Sequence, residues 1–211
     1  MFVNNFTTFL IICVFTLTGC LSRPALNKQT FAFCAPMISA TNTVFGGRVL
    51  GIRKLQIAAP FDSRSFVYRT GEFSYVRDPY AEFLDPPAEE LTSPVRGWLR
   101  DSGNFSIVAD AGSALKPDTL VEISISQLFG DFRQTKHPAA ILTIRFVFYD
   151  APGGIPGKEI FQQEYSRNIP LSAPTAAALM DGWEQALSEI LAQVSSDFRY
   201  LETRAPTDAD K

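Results

Sequence analysis

The chain has 211 residues, with 19 Lys and Arg against 22 Asp and Glu and a formal net charge of −3. That mildly acidic balance excludes the basic footprint of a nucleic-acid-binding domain. Three cysteines and one histidine give no disulfide framework and poor material for a metal site.

The chain opens on an apolar run, Phe6 to Phe15. It matches the hydrophobic region of a signal peptide and falls short of the roughly 20 residues that span a bilayer. Leu17-Thr18-Gly19-Cys20 follows, and this order resembles the bacterial lipobox. The resemblance implies diacylglycerol on the Cys20 thiol, cleavage before Cys20, and acylation (palmitate-type) of the freed amine. One acyl chain anchors only marginally, whereas two or three hold stably. Lipidation is thus expected at Cys20, with an ordinary secretory signal as the alternative. Residues 1–19 read as signal peptide, 20–29 as a lipidated tether, 30–202 as one domain and 203–211 as a flexible tail. The nine residues Leu21 to Gln29 span at most about 30 Å. Cys34 reads as a small buried hydrophobe in a strand.

Strands are expected over Thr30–Ala35 and Arg48–Ala58. In the second, Val49, Gly51, Arg53, Leu55 and Ile57 alternate with Leu50, Ile52 and Lys54. Phe61–Phe83 is crowded with Phe61, Phe66, Tyr68, Phe73, Tyr75, Tyr80 and Phe83. Leu91–Ser102 reads as a helix, with Val95, Trp98 and Leu99 on one face, and Phe105–Val108 as a short strand. Thr119–Phe129 is the clearest strand, with Val121, Ile123 and Ile125 opposite Glu122, Ser124 and Ser126. Ala139–Tyr149 follows through a hairpin loop. Asp150–Gly157 is a turn, and Lys158–Ile169 a further antiparallel strand. A last helix starts at an N-cap Ser172, with Pro174 in its first turn. Its apolar stripe runs from Leu179 to Leu201. Together these elements indicate an α/β (α+β) fold: a mixed, largely antiparallel sheet with amphipathic helices packed on one face and the other face wet.

Catalytic chemistry is hard to place. His137 is the single histidine and sits in a polar loop, Arg133 to Pro138. Gly153-Gly154-Ile155-Pro156-Gly157 lacks the Lys and Ser/Thr of a phosphate loop. Asp85, Glu89 and Glu90 suit a helix N-terminus. The expectation is a protein that is not an enzyme, with no cofactor, no catalytic residue and no metal.

Val67-Tyr68-Arg69-Thr70-Gly71 follows a strand, Leu50–Ala58, and Pro60; Tyr80-Ala81-Glu82 and a helix come after it. This succession resembles the ABC-type transport auxiliary lipoprotein family, which includes the paraquat-inducible C lipoproteins. In that family a strand and proline precede a Tyr-Arg-Thr-Gly-like segment, then an aromatic residue, usually tryptophan, before Ala-Glu. The similarity extends from Thr30 to Leu201. It implies a non-catalytic auxiliary component of a lipid or hydrophobic-compound transport system in the cell envelope. The implied partners are an ABC permease and ATPase and a mammalian-cell-entry-type periplasmic protein. The lipid anchor supplies membrane attachment, phospholipid is a candidate ligand, and nucleic acid is not a partner. Leu21 replaces the aspartate that retains many enterobacterial lipoproteins in the inner membrane, which favours the outer membrane. The competing reading is a structural or regulatory periplasmic lipoprotein, such as an activator of a cell-wall enzyme.

The aromatic density of Phe61–Phe83 follows no single strand or helix period. Tyrosine with arginine is the composition of binding surfaces, so Tyr68, Arg69, Tyr75 and Tyr80 are the candidate partner or ligand surface. The alternative is an irregular strand and loop capping the core, its arginines paired to Asp62, Glu72 or Asp78.

Overall fold

The computed structural model describes residues 27–34, 47–109 and 112–204. Cys20, the signal peptide and most of the expected tether lie outside these residues, as do Ala35 and residues 205–211 of the tail. Among the described residues there are eight strands: β1 (Gln29–Phe31), β2 (Val49–Ile57), β3 (Ser65–Arg69), β4 (Tyr75–Phe83), β5 (Ile107–Ala109), β6 (Thr119–Asp131), β7 (Ala139–Asp150) and β8 (Glu159–Pro170). The helices α1 (Pro87–Asp101) and α2 (Ala176–Arg204) pack against their sheet. The expected α+β fold is the observed one.

Strand β6 is the spine. On one edge it pairs along its whole length with antiparallel β7, which in turn pairs with β8. Two parallel strands share the other edge: β2 alongside Thr119–Ile125, and β3 alongside Gly130 and Asp131. The sheet forks there, one wing continuing to β5 and the other through β4 to β1.

Alternation alone misplaces β2. Its register with β6 slips between Ile52 and Lys54. This bulge at Arg53 turns Leu50 and Ile52 to the same face as Leu55 and Ile57, because an extra residue inverts the period-two pattern. Arg53, released from the ladder, pairs with Glu122. A second slip lies between Ile125 and Gln127 of β6. Before it, Val121, Ile123 and Ile125 face the helices and Glu122 and Ser124 face outward; after it, Leu128 and Gly130 face the helices and Phe129 faces outward.

Helix α1 starts a turn earlier than the apolar spacing predicts. Pro87 occupies the first helical position, where a missing N–H costs nothing, and Glu89 and Glu90 lie in the positive first turn. Helix α2 starts later than expected. Its cap is Thr175, whose Oγ1 accepts from the Ala178 N–H at 3.2 Å, and not Ser172. Pro174 keeps Ala173 out of helical geometry, so the helix cannot begin before it.

Leu179, Met180, Trp183, Leu187, Ile190, Leu191, Val194 and Phe198 of α2 are all buried; Leu201 is exposed, so the stripe ends at Phe198. Trp183 donates from Nε1 to the Ile141 carbonyl and rests against Phe66 and Phe83. The helices are joined by Trp98 Nε1 donating to Ser195 Oγ at 3.0 Å and by Asn104 Nδ2 donating to the Ser195 carbonyl at 2.8 Å.

Candidate functional site

The aromatic segment splits by face. Phe61, Phe66 and Phe83 are buried, whereas Phe73, Tyr75 and Tyr80 are exposed. The reason is a hairpin whose two strands do not match in length. Ser65 of β3 faces Glu82 of β4, and Val67 faces Arg77. Asp78, Pro79, Tyr80 and Ala81 therefore bulge out opposite Phe66 alone.

One carboxylate holds that bulge. Asp78 Oδ1 accepts the backbone N–H groups of Tyr80, at 2.7 Å, and of Ala81, at 3.1 Å. Asp78 Oδ2 accepts the Tyr68 hydroxyl. Burial, reinforced by this carboxylate, drives the Tyr68 phenol well above its ordinary pKa, so it remains a donor at any physiological pH. Its ring stacks on Phe132, with centroids 4.7 Å apart.

Arg69 braces the hairpin turn. Its guanidinium donates to the carbonyls of Gly71 and Glu72, the latter at 2.7 Å, and lies over the Tyr75 ring, 5.8 Å from its centroid. The N–H groups of Thr70 and Gly71 both donate to the Ser74 carbonyl, closing the turn. On the outward face, Phe61 stacks on Phe129 and Tyr75 meets both rings edge-on. This small second core, away from the helices, fixes the hairpin to β6. Of the candidate surface residues, Tyr68 and Arg69 thus serve the hairpin's own architecture, while Tyr75 and Tyr80 present ring area to solvent. Arg69 meets the expected Glu72 through its backbone carbonyl, whereas Arg64 bridges to Glu82 and Arg77 donates to Ser63 Oγ.

An open groove of about 670 Å³ lies beside this end, lined by Asp131, Arg133, Lys136, His137, Asn168 and Leu171 among others. Asp131 and Arg133 are paired at 2.6 Å, and that pairing lowers the Asp131 carboxyl pKa. His137 is exposed on the loop. Cys34 is exposed just after β1, contrary to the buried role expected of it. The strand ends at Phe31, and among the described residues no strand pairs with Cys34. Its N–H donates to Glu184 Oε1 at 2.7 Å, and the charge of Glu184 raises the thiol pKa. Among the described residues no group of three or more His, Cys, Asp or Glu is placed to hold a metal. Among them, too, no helix is long and apolar enough to cross a membrane.

Sequence reasoning places Asp78 only as a partner for an arginine and misses its hold on the bulge and on Tyr68. The Asp78-Pro79 dipeptide was its signal, since Asp before Pro favours a turn and the Asp side chain bonds backbone N–H groups two and three residues on.

No family model matches the chain, and no curated protein sequence matches it. Solved structures do. XCC0632 from Xanthomonas campestris, of family model DUF330, superposes with a TM-score of 0.68 at 17% identity, covering 83% of this chain and 98% of that one. The crystal structure of an uncharacterized protein gives a TM-score of 0.64 at 12% identity, covering 81% and 98% respectively. These two share the fold. Lipoprotein GNA1162 from Neisseria meningitidis, at 13% identity and covering 72% of this chain and 99% of that one, reaches only 0.30.

Proposed function

We propose that this chain is a bacterial lipoprotein of the cell envelope, held to the periplasmic face of a membrane through Cys20. The observation that carries this reading is the Leu17-Thr18-Gly19-Cys20 box at the end of an apolar run, followed within a few residues by the edge strand of a folded domain. Within that setting its role is that of a non-catalytic auxiliary component of an ABC-type, mammalian-cell-entry-linked system moving lipid or another hydrophobic compound. The succession of β2, Pro60, Tyr68-Arg69-Thr70-Gly71, Tyr80-Ala81-Glu82 and α1 supports this finer assignment. The outer membrane is the favoured site, because Leu21 follows the cysteine.

The test is mass spectrometry of the mature N-terminus in wild type and Cys20→Ala, with affinity capture from detergent-solubilised membranes. A chain starting at an acylated Cys20 is expected, with the permease, ATPase and mammalian-cell-entry-type protein recovered in the capture. A free Cys20 thiol or cleavage elsewhere refutes the anchor. An acylated chain that captures none of those partners refutes the transport role.

A further inference from the structure

We propose that the tip of the β3–β4 hairpin contacts the bilayer that holds the anchor, with Phe73 entering the interfacial region and Tyr75 and Tyr80 flanking it at headgroup depth. The inference rests on the lipid-anchor reading above.

Phe73 is 89% exposed, and Tyr75, Val76 and Tyr80 each expose about half their surface on the same hairpin. Nothing in the turn requires a phenylalanine: the turn is closed by backbone bonds to Ser74 and by Arg69. A phenylalanine flanked by tyrosines, which have apolar rings and polar tips, suits a membrane–water boundary. The tip is also preset, because Tyr75 is held against Phe61 and Phe129.

Exposure alone does not choose this end. The far end of the sheet shows Ile155, at 70%, and Leu115, at 50%. The path of the chain does choose. β1 runs parallel to β4, with Gln29 level with Ala81, so the chain enters β1 through Asn27 and Lys28 from the side of the hairpin turn. From Ala81 back to Tyr75 is roughly 20 Å of strand, whereas Cys20 to Gln29 spans roughly 30 Å when extended. That length is enough for an acylated Cys20 to meet the level of the tip by continuing in the direction in which β1 is entered. To bring the far end to the membrane, the tether would have to reverse and run back beside β1.

The experiment uses the full-length lipidated protein, reconstituted into vesicles of phosphatidylethanolamine and phosphatidylglycerol with lipids brominated near the top of the acyl chains. Trp98 and Trp183 are buried, so a tryptophan added by Phe73→Trp is read against a protected background. Its emission is expected to shift to the blue and to be quenched by the brominated lipids. Ile155→Trp, at the opposite end, is expected to be neither shifted nor quenched, and Tyr80→Trp, on the neighbouring bulge, to be quenched like Phe73→Trp. Unquenched emission from both hairpin variants, with Cys20 acylated by mass, overturns the proposal and leaves the anchor standing. So does equal quenching at position 155. A blue shift that appears only when a periplasmic partner is added assigns the tip to protein and also overturns it. A free Cys20 in the same sample removes the anchor and the proposal together.

Discussion

Replacing Asp78 tests whether one side chain shapes the candidate surface. In Asp78→Ala the Tyr68 hydroxyl and the N–H groups of Tyr80 and Ala81 lose their shared acceptor. Tyr68 is half-buried, and losing a charged acceptor there costs about 1.5–3 kcal/mol. The two N–H groups lie close to water and add about 1 kcal/mol together. The sum, about 2.5–4 kcal/mol, corresponds to a urea midpoint lowered by about 1.2–2 M at a slope near 2 kcal/mol/M. Trp183 stacks on Phe83, just beyond the bulge, with ring centroids 5.5 Å apart, so its fluorescence reports the change. Asp78→Asn keeps an acceptor and loses the charge, for an expected cost of about 1 kcal/mol. In the double variant with Tyr68→Phe the two costs are expected to be less than additive. An Asp78→Ala midpoint within about 0.3 M of wild type refutes the reasoning, because a contribution of that size is no more than a typical surface substitution.

Two further outcomes follow from the packing and the charges. Gly182→Ala is expected to destabilise by about 1–2 kcal/mol, although alanine favours helices by about 1 kcal/mol. Its Cβ would stand 2.7 Å from Ala140 Cβ and 2.6 Å from Leu171 Cδ2; thermal unfolding checks the sign, and Ala140→Gly is expected to reduce the cost. On acidification, Glu82, held low chiefly by its bond from Lys28, and Asp131, held low chiefly by Arg133, make the folded state bind fewer protons than the unfolded one. Their contribution is present above the ordinary carboxylate range, near pH 4, and is lost as pH falls through the depressed folded values. The combined Glu82→Gln and Asp131→Asn variant is thus expected to lose less urea stability than wild type between about pH 5 and pH 3, and equal losses would refute the assignment.

The long ladder was legible because period-two alternation and turn chemistry agree over β6, β7 and β8. The wings were harder to read. The bulge at Arg53 inverts β2, and no propensity marks it; only the pairing with β6 shows that Leu50 and Leu55 share a face. The crowding at Phe61–Phe83 was visible as composition, but its meaning was not, because half of it belongs to the helix-side core and half to the outward face. The turn that separates them depends on Asp78 reaching Tyr68, a contact between strands. Cys34 illustrates a different limit: it looks like a strand residue locally, yet β1 is an edge strand that stops at Phe31.

The second core on the outward face gives the hairpin a purpose beyond attachment. On the lipoprotein reading proposed above, acyl chains on Cys20 would by themselves hold the protein at a membrane, so a tip that inserts would add little to retention. It does add direction. An anchor at Cys20 alone would leave the direction of β6, about 40 Å long, unset over the membrane. Burying one phenylalanine side chain is worth about 2 kcal/mol, which biases the orientation with the tip down by about 30-fold. That bias reaches the rest of the domain only if the hairpin moves with the sheet. Phe61 on Phe129, Tyr75 against both, and Tyr68 on Phe132 supply the coupling. A tip so mounted would hold the far end of the sheet, with its exposed Leu115 and Ile155, away from the bilayer.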